Sequence, residues 1–198
     1  MKLMPRIIMS CVFALAIASG SASADDWLRS LPEFTLPDHL GEIHSSEQYK
    51  HYDLAVLYVQ GVGCPIARLA VPAFRQVREQ FADANIQFTM FNANIQDDMA
   101  RIAAEAEEFK IDFPILKDED QRLAKALGVE RTAEAFVIDT ETREVLFRGP
   151  INDQLGYETQ RNEAHEEYLK DALTTILAGG TVTMDSVPDS KGCLVAIF

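Results

Sequence analysis

Residues 61–68 of this 198-residue chain read GVGCPIAR, and the side chain there that can do chemistry is Cys64. A cysteine is a nucleophile only as its thiolate, which attacks the oxygen of a peroxide or the sulfur of a disulfide. Pro65 suits the first position of a helix, which places Cys64 at the N-cap, among backbone N–H groups with no helical partner. Arg68, four residues on, comes within one turn and adds a positive charge. Gly61 and Gly63 let the chain turn sharply and leave the sulfur uncovered. The bland alternative is a small core hydrophobe, the usual fate of a free cysteine. The junction between an apolar run and a helix-like pattern argues instead for a reactive thiol.

The elements that must hold this turn are legible on either side. DLAVLYVQ (53–60) is a continuous apolar run of strand length, as in a strand buried on both faces. From Pro65 to Phe81 the residues Ile66, Leu69, Ala70, Ala73, Phe74, Val77 and Phe81 form one face of an amphipathic helix. A second strand is expected at 86–93, a helix at 97–110, an extended piece at 113–118 and a short helix at 119–128. Two strands joined by a polar turn follow at 134–149, then a long helix at 162–180. Upstream, residues 34–50 predict a hairpin around His39–Gly41 and a short helix capped by Ser45 or Ser46. This alternation predicts an α/β sandwich with a central mixed β-sheet flanked by helices. The tail, 181–198, is a C-terminal extension with a polar middle and an apolar end.

Composition sets the context. Lys2 and Arg6, the apolar stretch 7–18 and the small-x-small run Ala22-Ser23-Ala24 form a secretory signal pattern, with cleavage expected before Asp25. A lipid anchor at Cys11 is disfavoured because little apolar sequence precedes it. Removing residues 1–24 leaves 174 residues, enough for one domain at 25–180 plus the tail. It also takes the net charge from −13 to −15, since two cations and no acids depart. So acidic a chain is expected to avoid nucleic acid and anionic lipid. With no other long apolar stretch, no membrane contact is expected after cleavage, and the expected setting is a periplasmic or otherwise exported, soluble one. Cys64 and Cys193 then remain, which in an oxidising compartment suggests a structural disulfide or a reactive pair.

GCPIAR after an apolar strand, together with FTLPD (34–38), FPILKDEDQRLAKALGV (113–129), AFVIDTETREVLFRG (135–149) and the last helix, resembles the thioredoxin-fold redoxins of the alkyl hydroperoxide reductase/thiol-specific antioxidant group. The resemblance covers about residues 30–180. It implies a thioredoxin-like sandwich and thiol-based antioxidant chemistry, with a peroxide or disulfide as substrate and a thiol protein as electron donor. The chain departs from the family pattern at several positions. The second cysteine of C-x-x-C is replaced by Ala67, and the threonine of P-x-x-x-T-x-x-C by Gly61. The customary cis-proline is replaced by Ala133, following Thr132. A cis bond without proline costs about 2.5–4 kcal/mol, so this loop is expected to be trans. With Ala67 in place, Cys193 is the remaining thiol, 129 residues downstream (193 − 64). It could resolve an oxidised Cys64, form a permanent bridge or pair between molecules. The resemblance also implies that Arg148 lies near the cysteine. Gln60 and Thr132 are expected as hydrogen-bonding neighbours of the sulfur and, with Pro65 and Ala133, at the border of the substrate.

Other chemistries find less support. His39, His44, His51 and His165 include no tight metal-ligand pair. A soft-metal site of Cys64, Cys193 and one histidine would suit Cu(I), which keeps a copper-binding or assembly role as the alternative, beside a degenerate domain without catalysis. The acidic runs lack EF-hand spacing. No phosphate-cradling loop or nucleophile elbow occurs, so no cofactor is expected.

Overall fold

The computed structural model describes residues 30–198; the leader expected at 1–24 lies outside the described residues. The apolar run becomes β3 (Leu54–Val59), buried at all six positions. Flanking strands cover its edges and helices its faces, so no residue alternates toward water. β4 (Ile86–Asn92) runs parallel to β3 and β5 (Ile115–Lys117) parallel to β4. On the other side, β6 (Ala135–Asp139) and β7 (Val145–Gly149) pair antiparallel. The order β5-β4-β3-β6-β7 makes a mixed five-stranded sheet.

The two-residue period of β3 divides the core. Leu54, Val56 and Tyr58 pack with Phe74, Met90, Phe113 and Leu169, under α3 (Val71–Gln80), α4 (Met99–Glu108) and α6 (Tyr168–Leu177). Ala55, Leu57 and Val59 pack with Tyr49, Phe91, Leu123 and Val195, on the side of α1 (Ser46–Tyr49) and α5 (Arg122–Ala126). Phe74 anchors the first layer: its ring lies 5.1 Å from that of Tyr58, 4.8 Å from Phe113 and 5.6 Å from Phe88. The expected hairpin forms from β1 (Thr35–Pro37) and β2 (Ile43–Ser45), turning through Gly41 at φ +88°. An Asp38–Leu116 bridge fastens it to the edge of the sheet.

Two helices differ from the sequence pattern. The apolar stripe of 65–81 is split into α2 (Pro65–Leu69) and α3, with Ala70 ending one and starting the other. Pro72 is the cause, since it has no N–H to continue the ladder of α2. The last helix begins at Tyr168 rather than near 162, and His165 lies in the preceding loop. There the Asp153 carboxylate accepts the N–H groups of His165 (2.7 Å) and Glu166 (3.1 Å) and pairs with Arg161, holding this stretch out of helical register. Gly179 at φ +78° ends α6. Among the described residues no helix is long and apolar enough to cross a membrane.

The tail is docked. Val187 packs against Gly149, where an added Cβ would stand 2.4 Å from Val187 Cγ1. After a 3-10 turn at Met184–Ser186, the chain returns across the 130–132 segment as an antiparallel strand. Thr132 N donates to Cys193 O (2.9 Å), Val195 N donates to Glu130 O (2.9 Å), and Arg131 bridges to Leu194. Val195 enters the second core layer.

Candidate functional site

Cys64 is the N-cap of α2, with φ −76° and ψ 112°, and Pro65 follows at the first turn. Gly63 at φ +78° makes the turn before it. Gly61 is required by close approach, because a Cβ there would lie 2.6 Å from Thr132 Cγ2 and 2.9 Å from Asn94 Nδ2. Two carboxylates hold this turn from below. Asp97 Oδ2 accepts Val62 N at 2.9 Å, and Glu105 Oε2 accepts Gly63 N at 2.6 Å. Asn92 and Asn94 also donate to Asp97 Oδ2, each at 2.9 Å. Gln60, expected beside the sulfur, belongs to this buried network instead: its amide donates to Glu105 Oε1 (3.2 Å) and accepts from Asn92 Nδ2 (2.7 Å). Buried polar groups need partners, and this network, in which Asp97 Oδ1 alone is left without a hydrogen-bond partner, fixes the turn that presents Cys64.

Of the two side chains expected to hydrogen-bond the sulfur, Thr132 does so and Gln60 does not. Thr132 Oγ1 lies 3.0 Å from Cys64 Sγ and donates to it, while accepting Cys193 N at 2.9 Å. Through that shared hydroxyl the backbone of Cys193 is held beside Cys64, and each sulfur bears on the ionisation of the other. Neither arginine joins them. Arg68 lies over the Phe109 ring, 4.7 Å from its centroid. Arg148 is held by Glu134, with Nε at 2.6 Å from Oε1, and donates to Gly128 O at 2.8 Å. Nor is the sulfur uncovered: Cys64 is 3% exposed beneath Thr132 and the tail, whereas Cys193 and Pro65 are exposed. α2, only five residues long, is also a short source of dipole.

Ionisation of Cys64 therefore depends on direct hydrogen bonds. Burial works against the thiolate, but Thr132, the N–H of Ala67 and Cys193 outweigh it and hold the pKa below the usual thiol value. Cys193 moves the other way, pushed up to about 11 by burial, then by its hydrogen bond to Cys64 and the charge there. One sulfur is shifted toward the anion and its neighbour toward the protonated thiol. Ala133, in the place of the customary proline, takes φ +61° and donates its N–H to Val59 O at 2.8 Å; among the described residues no peptide bond is cis. Among the described residues the histidines stay away from the sulfurs, and the one cluster with metal-ligating geometry is Asp38, Glu42 and His44 on the hairpin.

The AhpC/TSA family model matches residues 28–145, which include Cys64 and Thr132 but not Arg148 or Cys193. No curated protein matches the chain in sequence. Many solved structures resemble it, three crystal structures among them. A hypothetical protein from Sinorhizobium meliloti 1021 is 24% identical with a TM-score of 0.72, over 84% of this chain and 92% of that one. An uncharacterized conserved protein from Geobacillus kaustophilus is 21% identical with a TM-score of 0.68, over 86% and 91%. Peroxidoxin BcpB from Mycobacterium tuberculosis is 23% identical with a TM-score of 0.56, over 75% and 94%. At these identities the likeness is one of fold, and that fold is thioredoxin-like.

Proposed function

Because this chain belongs to the AhpC/TSA family of thioredoxin-fold oxidoreductases, we propose that it reduces peroxides with Cys64 as nucleophile and Cys193 as its resolving partner. The observation that carries this reading is the juxtaposition of the two cysteines across Thr132 Oγ1, with one thiol eased toward ionisation and the other held protonated. The Cys64 thiolate attacks one peroxide oxygen. The O–O bond breaks, an S–O bond forms, and the leaving alkoxide or hydroxide takes a proton from water. Cys64 is then a neutral sulfenic acid, which removes the charge that helped keep Cys193 protonated. Cys193 sulfur next attacks Cys64 sulfur. The S–S bond forms as the S–O bond breaks, and hydroxide leaves with the Cys193 proton as water. An external dithiol returns the disulfide to two thiols and is itself oxidised to a disulfide.

Arg68 and Arg148 have secondary parts in this reading. Arg68 buttresses α2 through Phe109, and Arg148 braces the 128–134 loop that carries Thr132. Pro65, exposed beside the sulfur, and Ala133 border the path of the substrate. The proposed setting is an exported compartment, an idea supported by the leader pattern and by the pairing of just two cysteines after its removal.

The test is mass spectrometry of non-reduced peptides from the reduced protein before and after one equivalent of hydrogen peroxide. The expected product is a Cys64–Cys193 linked peptide that forms within the monomer and is lost in Cys193→Ser, which accumulates sulfenic acid. A bridge already present and resistant to mild reductant, or no linkage after oxidation, overturns the reading.

A further inference from the structure

The C-terminal strand is fastened at its far end by a side chain that the proposed chemistry does not use. Through Val195 the tail pairs with the backbone of residues 130–132. Beyond it, Gln121 takes over: Nε2 donates to Ala196 O at 2.7 Å and Oε1 accepts Phe198 N at 2.9 Å. One side-chain amide thus copies what a neighbouring strand's peptide would offer. The same Nε2 donates to Ala93 O at 2.9 Å, tying the grip to the end of β4. Gln121 is 2% exposed and sits at φ +56°, a left-handed conformation that costs a non-glycine residue about 1 kcal/mol or more. Helix capping does not account for it. Although Gln121 is the N-cap of α5, its side chain makes no cap bond; Asp118 does that work, accepting Leu123 N at 3.2 Å and Ala124 N at 2.8 Å.

The near end of the strand has little freedom. A Cβ on Gly192 would stand 1.8 Å from Thr132 O, so this segment lies directly on the loop that covers Cys64. Whether the strand is seated decides two things together. Seated, it shields Cys64 and presents Cys193; lifted, it opens Cys64 and withdraws Cys193.

We propose that Gln121 is a positioning residue, a latch whose amide holds residues 196–198 and so sets how often Cys193 stands over Cys64. The proposal rests on the resolving role given to Cys193, and it commits to effects of opposite sign on the two sulfurs. In Gln121→Ala, loss of both tail hydrogen bonds shifts the open-to-seated ratio by about tenfold. Alkylation of Cys64 by iodoacetamide in the reduced full chain then rises by about that factor. Closure of the Cys64–Cys193 disulfide after one equivalent of peroxide slows at the same time, by the smaller factor through which the seated fraction falls, and dimedone-trapped Cys64 sulfenic acid increases.

Deleting Ile197 and Phe198 leaves Gln121 and α5 untouched and removes one of the two bonds. It is expected to move both rates in the same directions, alkylation by about threefold, and it carries the test should Gln121→Ala fold poorly. Alkylation rates within twofold of the parent in both variants overturn the latch, as do alkylation and closure that rise or fall together. Closure that is normal in the parent, with alkylation unchanged in the variants, refutes the latch alone. Absence of any closure in the parent refutes the resolving role, while the alkylation rates still decide whether Gln121 holds the strand.

Discussion

Thr132→Val keeps the shape of the side chain over Cys64 and deletes the hydroxyl that touches both cysteines. Thr132 Oγ1 stands 3.0 Å from Cys64 Sγ inside a buried site. A hydrogen bond to a charged group contributes about 1.5–3 kcal/mol. The Ala67 N–H and Cys193 remain to take up part of the loss, so the lower end of that range is the better guide. At a pH below the thiol midpoint this leaves about tenfold fewer thiolates, because ~1.4 kcal/mol is a factor of ten. The assay is the pH profile of Cys64 alkylation, read on the Cys64 peptide. Its midpoint is expected to move to higher pH, since the hydroxyl favours the charged form and its removal favours the thiol. Valine also deprives Cys193 N of its acceptor and loosens the strand, which raises the plateau rate; the midpoint reports ionisation and the plateau reports access. A midpoint that stays put or moves to lower pH would refute the account of how this sulfur is ionised.

The same geometry sets three further expectations. Ala133→Pro, which restores the residue common in relatives of this fold, is expected to destabilise by about 3 kcal/mol or more, because Ala133 sits at φ +61° and donates its N–H to Val59 O; chemical denaturation checks it. Phe74→Ala empties the site where three aromatic rings meet and is expected to cost about 3–5 kcal/mol in the same measurement. The reduced protein is expected to lose stability as pH rises from about 9 toward the Cys193 value of about 11, since over that span the unfolded thiol gives up its proton while the folded one keeps it. Cys193→Ser removes that slope, which is shallow because the side chain is partly solvated.

The strands and the cysteine turn were legible because their signals are local. An unbroken apolar run such as 54–59 can be satisfied only by burial on both faces, and a proline after Cys64 suits a helix start whatever surrounds it. The division of the 65–81 helix was also written locally, in Pro72, although the apolar stripe runs through it. The late start of α6 was not, because it depends on Asp153 reaching residues twelve and thirteen positions ahead. The setting of the sulfur was legible in Thr132 and not in the arginines. A positive charge at Arg68 or Arg148 is the obvious sequence device for stabilising a thiolate. A folded chain can turn those groups onto Phe109 and Glu134 and use a neutral hydroxyl from 68 residues away. The network under the turn joins Gln60 to Glu105 and Asn92, 45 and 32 positions distant. Its one sequence hint was the cluster of amide and acid side chains where β4 ends. The seating of the tail on Thr132 rests on the missing side chain of Gly192, a complementarity visible only once both segments are placed.

That seating has a bearing on biosynthesis. The sheet, the turn and the loop carrying Thr132 are all encoded before residue 150, whereas the lid and the second sulfur are encoded about forty residues later. A nascent domain that folds from its amino-terminal side therefore passes through a stage in which its nucleophile is open to the surroundings and has no internal partner. A redox compartment that meets the chain during this interval can mark Cys64 before the molecule is able to close over it.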